Sequence, residues 1–192
     1  MIDYKKRPLS WSAISSFQYD PDQWYKKYIL GERTPENAQM TFGKLVGERL
    51  ASDPSYLPEV PRAEIYEYEL KTSVSSINCI GFIDSYTPHK LLLEYKTSGK
   101  PWTQDRANSH GQLKMYCLML YLLHKVKPED ITIKLVSMQT EAKGDFSICF
   151  VQNMKPDIFE VKLTFKDILE FGVEIKKTIK EMEKYARTRS DM

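Results

Sequence analysis

The chain has 192 residues, is 42% hydrophobic and 28% charged, and carries a formal net charge of +2. Those values exclude a disordered or low-complexity chain and fit one domain, residues 1–192, with a sizeable core. A near-neutral total neither supports nor excludes a nucleic-acid partner, because a basic face can coexist with an acidic remainder.

In chain order, Met1 to Arg7 shows no apolar run of the kind that opens a secretory signal. Leu9-Ser10-Trp11-Ser12 opens a first helix, with Ser10 or Ser12 as its N-cap. Pro21 interrupts it and starts a second short helix, Asp22 to Tyr28, closed by Gly31. In that helix Trp24-Tyr25-Lys26-Lys27-Tyr28 alternates rings and ammonium groups. Such a pattern can track a nucleic-acid backbone. The plainer reading, rings inward and lysines in water, is the favoured one.

Ala38 to Ala51 is helical, with Met40, Leu45, Val46 and Leu50 available for a buried face. Asp53 to Arg62 holds three prolines and is a loop. Glu64 to Leu70 alternates glutamates with Ile65, Tyr66, Tyr68 and Leu70, a strand pattern. Ile77 to Tyr86 is a second strand, followed by the turn Thr87 to Lys90 and a short buried strand, Leu91 to Lys96. Thr103 to Lys125 reads as one long helix with Leu113, Tyr116, Cys117, Leu120 and Leu123 on its apolar face. Ile131 to Gln139 and Phe146 to Gln152 form a closing pair of strands. Phe165 to Ala186 is an amphipathic helix whose many charges are a solvated face.

Cys79, Cys117 and Cys149 are odd in number, far apart and set in apolar runs. Buried thiols are expected, not a disulfide framework or a cysteine-held metal. No stretch reaches the length of a membrane span, so an intracellular, cytoplasmic protein without a membrane partner is expected.

Chemistry concentrates at two strands, Gly81-Phe82-Ile83-Asp84 and Leu93-Glu94-Tyr95-Lys96-Thr97. Side chains alternate along a strand, so Glu94 and Lys96 share a face. A hairpin through Thr87–Lys90 brings Asp84 near Glu94. Two carboxylates converging there suit a hard divalent cation such as Mg2+. A lysine beside them can orient water and offset negative charge on a phosphate. Taken alone, Asp84 is an exposed turn acid and Glu94 with Lys96 an ordinary same-face ion pair. Leu91, Leu92 and Leu93 weigh against that, because an acid directly after a buried run is costly unless it is paired or bound to metal.

These blocks, with Gly111-Gln112-Leu113-Lys114-Met115-Tyr116 and the opening Leu-Ser-Trp-Ser-Ala-Ile-Ser-Ser-Phe and Asp-Pro-Asp-Gln-Trp-Tyr, resemble the RecB-like branch of the PD-(D/E)XK nuclease superfamily. That branch shows a G-x-[IV]-D strand, a [DE]-x-K-T strand and a Q-x-x-x-Y helix in this order. The resemblance covers about residues 9 to 121, collinearly. It implies an α/β restriction-endonuclease-like core, a central mixed sheet flanked by helices. It also implies a Mg2+- or Mn2+-dependent nuclease acting on DNA. Asp84 and Glu94 would bind the metal, with the Tyr95 backbone carbonyl as a third ligand, and Lys96 would be the catalytic lysine. Gln112, Tyr116 and Thr97 would support the site and the bound strand. For Tyr116 the plainer reading is core packing, and for Gln112 a solvent-facing amide.

The chain departs from the pattern twice. Relatives carry a helix histidine in a G-x-x-x-H arrangement, and Gly47 stands at that place, followed by Glu48. Glu48 is the candidate substitute, rotated by about 100° on the helix. Some relatives hold an iron–sulfur cluster; here Asp20 replaces one of its cysteines and no cluster is expected. Three functions therefore compete: a DNA exonuclease or endonuclease, a nuclease-fold module that binds nucleic acid or a protein without cutting, and an unrelated α/β protein with an acidic ion-pair network. The intact Asp84, Glu94 and Lys96 favour the first, and the missing histidine the second.

Overall fold

The structure is a computed structural model that describes residues 7–33, 35–144 and 147–190. Its helices are α1 (Trp11–Tyr19), α2 (Pro21–Trp24, continued by a π-helical stretch, Tyr25–Leu30), α3 (Ala38–Ser52), α4 (Gln104–Asn108), α5 (Gly111–His124) and α6 (Phe165–Ser190). Its strands are β1 (Ile65–Val74), β2 (Ile77–Thr87), β3 (Leu91–Ser98), β4 (Thr132–Ala142), β5 (Ile148–Phe150) and β6 (Asp157–Glu160). They form one six-stranded sheet in the order β1-β2-β3-β4-β5, with β6 also on β4. All pairings are antiparallel except β3 with β4, which run parallel because α4 and α5 carry the chain across between them. The expected mixed sheet flanked by helices is therefore present, with the β2–β3 hairpin at its centre.

Local chemistry explains most boundaries. The Ser10 side chain accepts the Ala13 N–H at 3.3 Å and caps α1. Asp20 caps α2 through the Gln23 N–H at 3.0 Å, and Gly31, at φ 75, closes the stretch. Trp24 is buried edge-on against Phe17, ring centroids 5.0 Å apart, while Lys26 and Lys27 are exposed, so the rings of this segment serve packing.

Period-two alternation sends neighbouring residues to opposite cores. Leu92, Ile133 and Leu135 pack against the layer of α1, α5 and α6. Leu93, Val136 and Met138 pack beneath α3. Cys79 and Cys117 are buried as expected, but Cys149 is half-exposed because β5 is a short edge strand.

Several expectations need correction. The single helix Thr103–Lys125 is two helices, broken at Ser109 and His110. Asn108, Ser109, His110 and Gly111 are all weak helix formers, so the run yields where packing asks for a bend. Packing does ask: the Trp11 indole lies directly on Gly111, where an added Cβ would stand 2.1 Å from Trp11 Cη2. On α3 only Val46 and Leu50 are buried, whereas Met40 (53%) and Leu45 (51%) are exposed. Met40 lines the cleft between α3 and the sheet, and Leu45 faces solvent. Leu123 is likewise 38% exposed, in the last turn of α5, where the helix runs out of core. Of the closing pair, β4 was expected, and Phe146 lies outside the described residues. The four-residue β6 was not foreseen. β1 also runs on to Val74, and its hairpin turn uses Ser75 and Ser76 at φ 50 and 68. Such a turn normally announces itself through Asn-Gly or Asp-Gly.

Among the described residues no helix is long and apolar enough to cross a membrane.

Candidate active site

The β2/β3 ladder is short. Its pairs are Ser85↔Leu93, Tyr86↔Leu92 and Thr87↔Leu91, and beyond Ser85 the two strands part. Into the gap on the far side comes the segment before α1, where Leu9 pairs with Cys79 through Leu9 N–H to Asn78 O at 2.8 Å and Ile80 N–H to Leu9 O at 2.9 Å. The chemistry-bearing residues line the opening between these two contacts.

Asp84 stands at the fork. Its carboxylate accepts the Tyr95 backbone N–H at 2.7 Å, so a side chain replaces the ladder bond that a flat hairpin would make there. Glu94 is 1% exposed; its Oε1 lies 2.5 Å from Lys96 Nζ, and its Oε2 is buried with no partner. Lys96 also donates to Gln112 Oε1 at 2.9 Å. Gln112 Nε2 donates to the Tyr116 hydroxyl at 2.7 Å, and that hydroxyl donates to Phe82 O. Tyr116 reaches β2 because Gly81 has no side chain, since a Cβ there would stand 2.8 Å from Tyr116 Cε1. A connected polar chain thus runs from Glu94 through Lys96, Gln112 and Tyr116 to the β2 backbone, and it fixes where the ammonium points.

The electrostatics follow from burial. Burial and the Glu94 charge push Asp84 well above the usual carboxylate range, against Lys96 and the Tyr95 N–H, which pull it down. Burial also raises Glu94, with the Lys96 ammonium opposing and the Glu67 charge adding to the rise. For Lys96 burial disfavours the charge, but the Glu94 and Asp84 carboxylates more than offset it and hold the group above its ordinary value. Burial keeps the Tyr116 phenol protonated. A buried acid, Glu94, and a half-buried one, Asp84, beside one lysine make an arrangement that favours an added cation.

Two clefts meet at Asp84. The larger, about 860 Å³, runs between the sheet and α3 and is lined by Gly47, Glu48, Glu67, Asp84, Lys96 and Thr97 among others. The smaller, about 230 Å³, lies on the side of α1 and α5, with Ser12, Glu67, Asp84, Gln112 and Tyr116 in its wall. Of the sequence-predicted residues, Asp84, Glu94, Lys96, Gln112 and Tyr116 come together. The Tyr95 side chain turns away and donates to Pro61 O at 2.8 Å. Thr97 anchors α3, since Gln39 Nε2 donates to its carbonyl at 3.2 Å and Gly43 packs against its hydroxyl. Glu48 is exposed on the α3 wall of the larger cleft. Glu67 was not foreseen. Flanked by Tyr66 and Tyr68 in a regular alternation, it looks like the solvent-facing Glu69, and no local signal separates the two.

Among the described residues no three His, Cys, Asp or Glu side chains group closely enough to enclose a metal ion unaided. A caged structural metal is not what this donor set fits. Mg2+ or Mn2+ bound through one or two carboxylates, keeping several waters, does fit it, and the partnerless Glu94 Oε2 is a free ligand atom.

No protein-family model matches the sequence, and no curated protein matches it. Two solved structures are similar in outline. One, named "Putative exonuclease" and coming from Eubacterium rectale, is 14% identical with a TM-score of 0.46; the match covers 91% of this chain and 65% of that one. The other, named SSO0001, is 16% identical with a TM-score of 0.42 and covers 88% of this chain and 69% of that one. The chain thus spans about two thirds of the length of each. Likeness at this level leaves the assignment to the site itself.

Proposed function

We propose that this chain is a metal-dependent deoxyribonuclease of the RecB-like branch of the PD-(D/E)XK superfamily, an exonuclease or endonuclease that hydrolyses phosphodiester bonds in DNA. One observation carries the reading: Glu94 is buried, gives one oxygen to Lys96, and leaves the other without a partner near a second, half-buried acid, Asp84. A structural ion pair would have both oxygens satisfied. Asp84 and Glu94 would hold Mg2+ or Mn2+, with the Tyr95 carbonyl as a further ligand and Glu48 within the same cleft.

The ion, when bound, polarises the phosphate and lowers the pKa of bound water. The remaining steps belong to the chain's own groups. Lys96, kept charged by the two carboxylates and aimed by Gln112, orients the attacking water and offsets charge that builds on the phosphate oxygens. Gln112 and Tyr116 hold Lys96 against β2. Thr97 ties α3 to the end of β3 and so keeps the larger cleft open for the nucleic-acid strand.

The test is cleavage of end-labelled DNA, single- and double-stranded, linear and circular, with Mg2+ or Mn2+ in turn. Wild type cuts at least one of these, and Asp84→Ala and Glu94→Ala abolish the cutting while remaining folded by circular dichroism. Cleavage retained equally in both variants would overturn the reading. Binding of DNA by wild type without any cleavage would favour the non-cutting module.

A further inference from the structure

We propose that Glu67 is an outer, third carboxylate of this centre, acting through water on the divalent cation that Asp84 and Glu94 would hold; the proposal rests on the nuclease reading above. The first argument is position. Tyr66 pairs with Ser85 and Tyr68 with Ile83, so the register places Glu67 directly across from Asp84. That one rung is missing from an otherwise continuous ladder. Cross-strand partners are the closest neighbours two strands offer.

The second argument is backbone. Glu67 has φ 50 in the middle of a strand, in the left-handed region that side chains other than glycine and asparagine seldom occupy. The register is the same on both sides of it, so no inserted residue forces the distortion. A strand gains nothing from such a residue, and strained backbone of this kind gathers at functional sites. Its effect here is to open the rung beside Asp84, and Glu67 lines both clefts that meet there.

The third argument is charge. The Glu67 charge acts on both Asp84 and Glu94, while the Lys96 ammonium pairs with Glu94 and acts on Asp84. The buried, partnerless Glu94 Oε2 marks where positive charge is wanted. Because among the described residues no three acids group tightly enough to cage an ion, the exposed Glu67 acts as an outer carboxylate, reaching the cation through its water. That makes it a positioning residue, in the sense in which outer groups set metal affinity.

Calorimetric titration with Mn2+ alone, with no DNA, tests this on the full chain. Wild type binds, and Glu67→Gln weakens binding by about 10-fold or more. Glu67→Gly shows the same loss, and its metal-free melting temperature rises because glycine adopts φ 50 without strain. Equal Mn2+ affinity in wild type and both variants overturns the role of Glu67 and leaves the nuclease reading standing. A lower metal-free melting temperature in Glu67→Gly overturns the strain argument and makes the left-handed turn a structural requirement. If wild type itself binds no Mn2+, the reading beneath the proposal fails as well.

Discussion

His110 is the N-cap residue of α5, its ring edge-on to Trp102, centroids 5.2 Å apart, while the Arg106 guanidinium lies 3.9 Å from the Trp102 ring centre. Its buried Nδ1 has no partner. Burial, with the Lys96 and Arg106 charges adding to it, pushes the imidazole down to about 3. The ring therefore stays neutral in the folded chain near neutral pH. An unfolded histidine titrates near 6.5, so between pH 6.5 and 3 the unfolded chain binds a proton that the folded chain does not. The folded pKa is depressed, so the contribution is full above pH 6.5 and is lost as pH falls toward 3. The slope from this group reaches about 1.4 kcal/mol per pH unit. Urea unfolding from pH 7 down to 4 should show His110→Gln losing less stability on acidification than wild type. Parallel curves would mean that the ring gains protons freely in the folded state.

At the scale of elements, two glycines in helices should answer oppositely to the same change. Gly111 lies under Trp11, and an added Cβ would stand 2.1 Å from the indole, so Gly111→Ala forces α1 and α5 apart. A cost of about 1–3 kcal/mol is expected, as for other overpacked sites. Gly47 has nothing within 4 Å of an added Cβ, so Gly47→Ala on α3 should stabilise by about 0.5–1 kcal/mol. Urea midpoints of the two variants check both signs. The contrast also shows what was legible. The hairpin of β2 and β3, a serine cap at Ser10 or Ser12 and the helical run that contains α5 stood out because periodicity and capping are local properties. The break before Gly111 depends on an indole 100 positions earlier in the chain, which no local pattern carries. Met40 and Leu45 fit a helical stripe yet are exposed, Met40 on the wall of the larger cleft. Asp84, Glu94 and Lys96 could be found from their motif and the apolar run before them. The placement of Glu67 could not, because it comes from strand register and a left-handed backbone rather than from its neighbours in sequence.

For the whole molecule, the site is a product of how the sheet opens. β2 and β3 pair for three rungs and then part, Leu9 fills the far end of the gap, and α5 crosses behind with Gln112 and Tyr116. Acids from β2 and β3 meet a lysine that α5 holds in place, and Glu67 on β1 stands across from Asp84. None of these contacts exists in the unfolded chain, so the chemistry appears only when the layers dock. The core on the α5 side stiffens the lysine, and the core under α3 sets the width of the larger cleft. The most direct test is the rate of Mg2+-dependent cleavage of labelled DNA under single-turnover conditions, wild type against Lys96→Gln, with both proteins shown to be folded. The account predicts cleavage by wild type and a rate about 100-fold lower or worse in the variant, as for the loss of one preorganised group that stabilises charge. Equal rates in the two proteins would contradict it.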